Sequence, residues 1–283
     1  MNYQINEDVK TIRGILDISQ SDLAEAIGVQ RITIVRIENG DTYPSDETIN
    51  KIYDFAYSKG IKLNSIKEEL YLEENPNKKV LFHGAKEMIK GDISPFVGKE
   101  DSDFGHGFYC GESSDQAISF VSRYANPSMY IVTFDDIGLK SIKFEVNQEW
   151  MLAIAYFRGT LKEYKNHPVI KKIIKKVQSS DYVIAPIADN RMFRIIDQFI
   201  DGLITDVQCK HCLAATNLGN QYVFLNEKAT SQLSILEHCY ISKKEKEHHQ
   251  QIKISELNDG DNKVKAAIIK YKNEGKYIGE ILK

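Results

Sequence analysis

The sequence predicts an α+β chain in which an all-α segment is followed by a mixed-sheet domain, and three observations predict it. Residues 5–74 place apolar side chains at helical spacing, interrupted at Gly28, Gly40 and Gly60. From Val80 to Ile241, short β-branched and aromatic runs alternate with helical patterns of uneven length. Between the two regions, Asn75-Pro76-Asn77-Lys78-Lys79 is polar and broken by proline, which is the composition of a linker. The predicted divisions are 1–75, 79–241 and a tail, 242–283.

The N-terminal segment reads as five short helices. Ser19 and Ser21 are cap candidates ahead of Asp22-Leu23-Ala24-Glu25-Ala26-Ile27, which stops at Gly28; a second helix runs from Gln30 to Asn39. Pro44-Ser45 opens a third, with Ile49, Ile52, Tyr53 and Ala56 on one face. In the second region, strands are expected at 79–82, 107–110, 129–134, 142–144, 182–187, 222–225 and 236–241. Helices are expected at 114–123, 149–157, 169–178, 190–201 and 205–215. The charged run Lys243-Lys244-Glu245-Lys246-Glu247-His248-His249 reads as a solvated linker before an amphipathic helix over 261–274.

With 283 residues, 42% apolar and 27% charged, the chain can bury one large core or two smaller ones and is not globally disordered. No apolar run approaches the roughly 20 residues that span a bilayer, so a cytoplasmic protein without a membrane partner is expected. Four cysteines fit a reducing compartment better than a disulfide framework. The net charge of −3 hides an asymmetry. Residues 1–75 hold 8 Lys and Arg against 14 Asp and Glu, a balance of −6, and the remainder is +3.

Residues 11–56 closely resemble the helix-turn-helix of phage-repressor-like regulators. The resemblance rests on Gln20-Ser21-Asp22-Leu23-Ala24-Glu25-Ala26-Ile27-Gly28-Val29 and on Thr33-Ile34-Val35-Arg36-Ile37-Glu38-Asn39-Gly40. It implies that Arg31, Ile32 and Arg36 reach base edges, with Gln20 and Thr33 near phosphates. The acidic balance removes much of the sequence-independent attraction to DNA, and Ile32 with Val35 forms an apolar pair on the reading face. Two expectations follow for this face: operator DNA, or docking to a protein such as a neutralising antitoxin.

Three distant pieces carry the second resemblance: Phe82-His83-Gly84, Phe104-Gly105-His106-Gly107-Phe108-Tyr109 and Asn220-Gln221-Tyr222-Val223-Phe224. Their order and neighbours resemble the NAD-binding core of ADP-ribosyltransferases of the diphtheria-toxin and poly(ADP-ribose) polymerase type. They are closer still to an uncharacterised bacterial family of such domains found beside helix-turn-helix modules. The resemblance implies a split mixed sheet, NAD as co-substrate without a metal, and His83, Tyr109 and Gln221 as the catalytic set. His83, Gly84, Phe104, Tyr109 and Phe120 would hold the dinucleotide, and the loop from Gly91 to Gly105 would be a mobile lid. Chemistry of this kind needs a fixed, bent NAD and stabilisation of a developing oxocarbenium as nicotinamide leaves.

The third piece departs from the polymerase pattern, which has a glutamate where this chain has Gln221. An amide accepts and donates hydrogen bonds but carries no charge. Poly(ADP-ribose) elongation is therefore not expected. What stays open is single transfer to a protein or nucleic acid (in a toxin–antitoxin or phage-defence setting, by the resemblance), NAD hydrolysis, or a transcriptional regulator that senses NAD or ADP-ribose through an inactive domain. Cys209-Lys210-His211-Cys212 has metal-ligand spacing, but it falls in a helical pattern without a knuckle and reads as buried thiols. Asp189 reads as a helix N-cap and Trp150 as a core anchor.

Overall fold

The structure is a computed structural model that describes residues 2–214 and 219–283, with side chains at all of these except 190 and 256–260. The chain divides into two compact units, each assembled from separated stretches. The first comprises residues 1–88, 113–133 and 235–252; the second comprises 89–112, 134–234 and 253–283.

The first unit begins with five helices: α1 (Ile5–Leu16), α2 (Gln20–Ile27), α3 (Arg31–Glu38), α4 (Asp46–Ser58) and α5 (Leu63–Glu74). Ser19 starts α2 through a reciprocal capping box with Asp22, and Gly28 ends it at φ 69°, a conformation that a side chain would strain. Ser45 caps α4 through the Thr48 N–H. Val9, Ile12, Leu23, Ile34, Ile37, Ile49 and Ile52 form the helical core, the last five of them on the faces that the helical spacing predicts. The same unit holds β1 (Lys79–Ala85), α6 (Ser114–Val121) and most of β3 (Ser128–Phe134) and β7 (Leu233–Tyr240), whose residues 134 and 233–234 fall to the second unit; the strand order is β1-β3-β7. Val80 and Phe82 pack there with Ala117, Ile118, Val121, Met129 and Ile131.

The second unit has strand order β4-β5-β6-β2, from β2 (Phe108–Gly111), β4 (Ser141–Lys143), β5 (Tyr182–Pro186) and β6 (Asn220–Phe224). β4 and β5 are parallel, whereas β6 runs antiparallel to both β5 and β2, so the sheet is mixed as expected. One face carries Ile142, Val183, Ala185 and Val223 into a core with α7 (Gln148–Phe157), α8 (Pro168–Gln178), α9 (Asn190–Ile200) and α10 (Asp206–Ala214). Trp150 to Ala155 are six consecutive buried residues, so α7 is enclosed on all sides rather than amphipathic. The opposite face is an aromatic ladder in which Phe134, Tyr182, Tyr222 and Phe224 stack or meet edge-on. Asp189 caps α9, as its position predicts, by accepting from the Arg191 and Met192 N–H groups.

Two expectations fail. The charged run after Ser242 is not a solvated linker: it opens α12 (Lys243–Lys270), a helix that starts some eighteen residues before the predicted one. Glu245 and His249, four residues apart, face inward and are only 6% and 5% exposed, while Lys243, Lys244 and Glu247 form the wet side. Charge alone concealed that periodicity. Farther along, Val264, Ala267 and Ile268 meet the second unit's core, as the amphipathic pattern predicts. The loop before β2 is likewise not free along its whole length, because Asp103 and Phe104 at its end are buried. The last residue of the helix expected over 205–215 lies outside the described residues.

Candidate functional site

The Phe-Gly-His-Gly-Phe-Tyr segment is built by backbone demands. Gly105 sits at φ 78°, and a Cβ on Gly107 would lie 2.7 Å from Val223 Cγ1 on β6. Tyr109 closes the turn on itself: its hydroxyl accepts from the Phe104 N–H at 3.1 Å and donates to the Gly105 carbonyl at 2.8 Å. Burial, followed by the nearby Asp103 carboxylate, pushes the phenol well above its ordinary value, so Tyr109 stays neutral. Phe104 is buried and stacks on Phe144 at 5.4 Å. A cavity of about 250 Å³ opens beside Phe104 and Phe157, and neither Tyr109 nor Gln221 lines it.

Tyr109 and Gln221 are brought together. Tyr109 pairs with Val223 and Gly111 with Gln221 across β2 and β6, so the two side chains are diagonal neighbours on one sheet face. Gln221 is 7% exposed. Its Nε2 donates to Asp103 Oδ2 at 2.8 Å and to the Pro186 carbonyl at 3.2 Å. Arg158 Nη1 donates to Asp103 Oδ1 at 3.0 Å, and its guanidinium lies 3.3 Å from the centre of the Phe193 ring. The Ala188 N–H also donates to Asp103. Burial raises the Asp103 pKa, against the lowering pull of Gln221 and Arg158.

Asp103 and Arg158 are the residues that sequence reasoning missed. Asp103 lies 118 positions from Gln221 and 55 from Arg158, and no local pattern separates it from its neighbours Glu100 and Asp101. At the start of β6, Glu112 fixes Asn220 by accepting its backbone and side-chain N–H groups.

His83, Gly84 and Phe120 belong to the first unit. His83 is half-buried on β1, with its ring 6.3 Å from that of Tyr130, which in turn stacks on His238 at 4.5 Å. A Cβ on Gly84 would stand 2.3 Å from the Ala117 carbonyl of α6, so helix packing accounts for that glycine. Phe120 is 62% exposed on α6.

On the helix-turn-helix, Arg31, Ile32 and Arg36 are exposed along α3 and Thr33 is half-buried. Gln20 is engaged within the fold: it donates to Glu38 at 2.7 Å and accepts from Arg31 at 3.2 Å. Arg13 completes this lattice by donating to both Glu38 oxygens. The lattice orients Arg31, a positioning role that the sequence did not reveal. Cys209 and Cys212 donate their thiols to the Ile195 and Val264 carbonyls, and burial pushes Cys212 up to about 11. No helix among the described residues is long and apolar enough to cross a membrane.

Residues 9–54 match the family model described as "Helix-turn-helix", which places that module where α1 to α4 lie. No curated protein and no solved structure matches the chain. A second family model covers residues 79–235, more than half of the chain, from β1 through the start of β7. The chain therefore belongs to the family described as "Protein of unknown function (DUF3990)", carried behind an N-terminal helix-turn-helix.

Proposed function

We propose that the chain binds NAD and transfers a single ADP-ribose to a protein or nucleic-acid acceptor, while its helix-turn-helix meets operator DNA or docks a neutralising protein partner. In this reaction the bond between the ribose C1 and the nicotinamide nitrogen breaks and nicotinamide leaves as a neutral base. An acceptor nucleophile then bonds to C1 and releases its proton. Nicotinamide leaves readily, so the protein's task is to fix the dinucleotide and satisfy the ribose hydroxyls as positive charge develops. The single observation that carries the reading is the placement of Tyr109 and Gln221 as diagonal neighbours on one face of β2 and β6. An aromatic ring and a hydrogen-bonding amide then stand side by side at a strand end. His83 and Gly84 would contact the adenosine ribose and the carboxamide, with Phe104 and Phe120 as further contacts. The setting that fits such a pair of modules is a toxin–antitoxin or phage-defence system.

A second reading is favoured by one observation, the amide at position 221 in place of a carboxylate. In it the domain senses NAD or ADP-ribose without turnover, and Arg31 and Arg36 act on DNA. Incubating the full chain with NAD labelled in the nicotinamide and in the adenosine, with lysate as acceptor source, separates the two. The transferase reading expects nicotinamide release and labelled macromolecules, both lost in His83→Ala and Tyr109→Ala. Saturable NAD binding without release selects the sensor, and no NAD binding at all removes both.

A further inference from the structure

We infer that Asp103 is a positioning residue that turns Gln221 into a one-way hydrogen-bond acceptor, whose Oε1 takes a hydroxyl of the bound nucleotide's ribose. The inference rests on the NAD reading above for the identity of the ligand, and on geometry alone for the polarity of the amide.

A glutamine amide has two faces of opposite character, and it presents whichever one its surroundings leave over. Here the surroundings leave no choice. The carboxylate of Asp103 and the carbonyl of Pro186 are both acceptors, and both lie within hydrogen-bond reach of the same terminal atom of Gln221. Only the NH₂ group satisfies two acceptors; the reversed amide would set its oxygen against a carboxylate and a carbonyl. Both amide protons are therefore spent inward. Gln221 Oε1 has no donor among the described residues, and it is not one of the sealed orphan atoms although the residue is 93% buried. A buried side chain with one unpartnered acceptor open to the outside recognises a donor, and on a nucleotide the hydroxyls of ribose supply that chemistry.

Asp103 is equipped for this role rather than for contacting the ligand. One oxygen accepts from Gln221 and the other from Arg158, while the Ala188 N–H adds a third bond. Arg158 is itself held over the Phe193 ring. Such a carboxyl group has little lone-pair capacity left for a ligand, since Gln221, Arg158 and the Ala188 N–H already occupy its oxygens. The arrangement gives an uncharged residue what a catalytic carboxylate would otherwise supply, a fixed oxygen acceptor, without an exposed negative charge. It also explains why the end of the loop before β2 is anchored.

The test uses the full chain and two readouts. In ¹H–¹⁵N spectra the Gln221 side-chain amide, identified by its absence in Gln221→Leu, is expected to be protected from solvent exchange in the wild type. It should lose protection at least tenfold in Asp103→Ala, with the rest of the spectrum retained. Titration calorimetry with NAD, and with analogues lacking either ribose 2′-hydroxyl, is expected to show at least tenfold weaker binding of one analogue by the wild type. That preference should shrink to less than threefold in Asp103→Ala and in Gln221→Leu. Should Asp103→Ala fold poorly, Asp103→Asn replaces it, because an asparagine can donate to Gln221 Oε1 and so permits the flipped amide. A protected amide with no NAD binding overturns the ligand assignment and the NAD reading while the positioning role stands. Amide exchange unaffected by Asp103 substitution, or full discrimination retained in Gln221→Leu, overturns the inference even if NAD is bound and cleaved.

Discussion

Replacing Lys67 with methionine tests the most heavily buried charge cluster of the first unit. Lys67 Nζ lies 2.7 Å from Asp8 and 2.5 Å from Glu237, and the three side chains are 9%, 5% and 4% exposed. The Tyr53 hydroxyl donates to Asp8, and the Tyr71 hydroxyl to Glu237 at 3.0 Å. Methionine fills the lysine's volume but leaves two carboxylates facing each other without a cation. Breaking a buried ion pair from one side costs about 3–5 kcal/mol, a large share of the ~5–15 kcal/mol that holds a typical domain together. Burial already raises the Asp8 pKa while Lys67 pulls it down, so removing Lys67 raises it further. A carboxylate whose folded pKa exceeds its unfolded value contributes stability at low pH, and that contribution is lost as pH rises through the folded pKa. Urea unfolding followed by circular dichroism should therefore show a deficit for Lys67→Met that is largest near pH 7.5 and shrinks on acidification. The triple variant Asp8→Asn/Lys67→Met/Glu237→Gln, which removes every charge, should recover more than half of it. A loss below ~1 kcal/mol at pH 7.5, or one that does not change with pH, would refute the assignment of this cluster as a buried ion pair.

Two further outcomes are expected. Gly84→Ala should destabilise by at least ~1–3 kcal/mol in the same unfolding assay, because the new Cβ meets the Ala117 carbonyl at 2.3 Å and Val121 Cγ1 at 3.0 Å; a change within ~0.5 kcal/mol means that α6 yields without cost. Glu245, buried and hydrogen-bonded by Asn64, has its pKa pushed up to about 7, chiefly by burial. Its folded pKa exceeds the unfolded value, so its contribution is present in acid and lost as pH rises through about 7. Glu245→Gln should flatten the fall in thermal midpoint between pH 5 and pH 8, and an unchanged slope would assign that fall to other groups.

The elements of both regions were legible because their signals are local. Ser19 and Gly28 bound α2 through bonds within a few residues, and the strand runs announced themselves by composition. α12 escaped because a run of lysines and glutamates hides the i, i+4 pair Glu245 and His249 until an inward face exists for it. The helix-turn-helix was read from residues, but the lattice that aims Arg31 joins Arg13, Gln20 and Glu38 from three helices.

By itself the sequence determined which residue types are available at each strand end and that position 221 carries an amide rather than an acid. Only the tertiary structure decided what that amide does. It was the resemblance that assigned Tyr109 and Gln221 to one site; periodicity reports only the face of its own strand on which a side chain falls. It holds no information on which of several acidic loop residues will be desolvated. Asp103 was selected by the closure of a chain segment over β6, where Arg158 and the Ala188 N–H meet it from other elements while the Pro186 carbonyl meets Gln221. The energy of an uncompensated buried charge makes that convergence obligatory once it forms, and no window along the chain contains it.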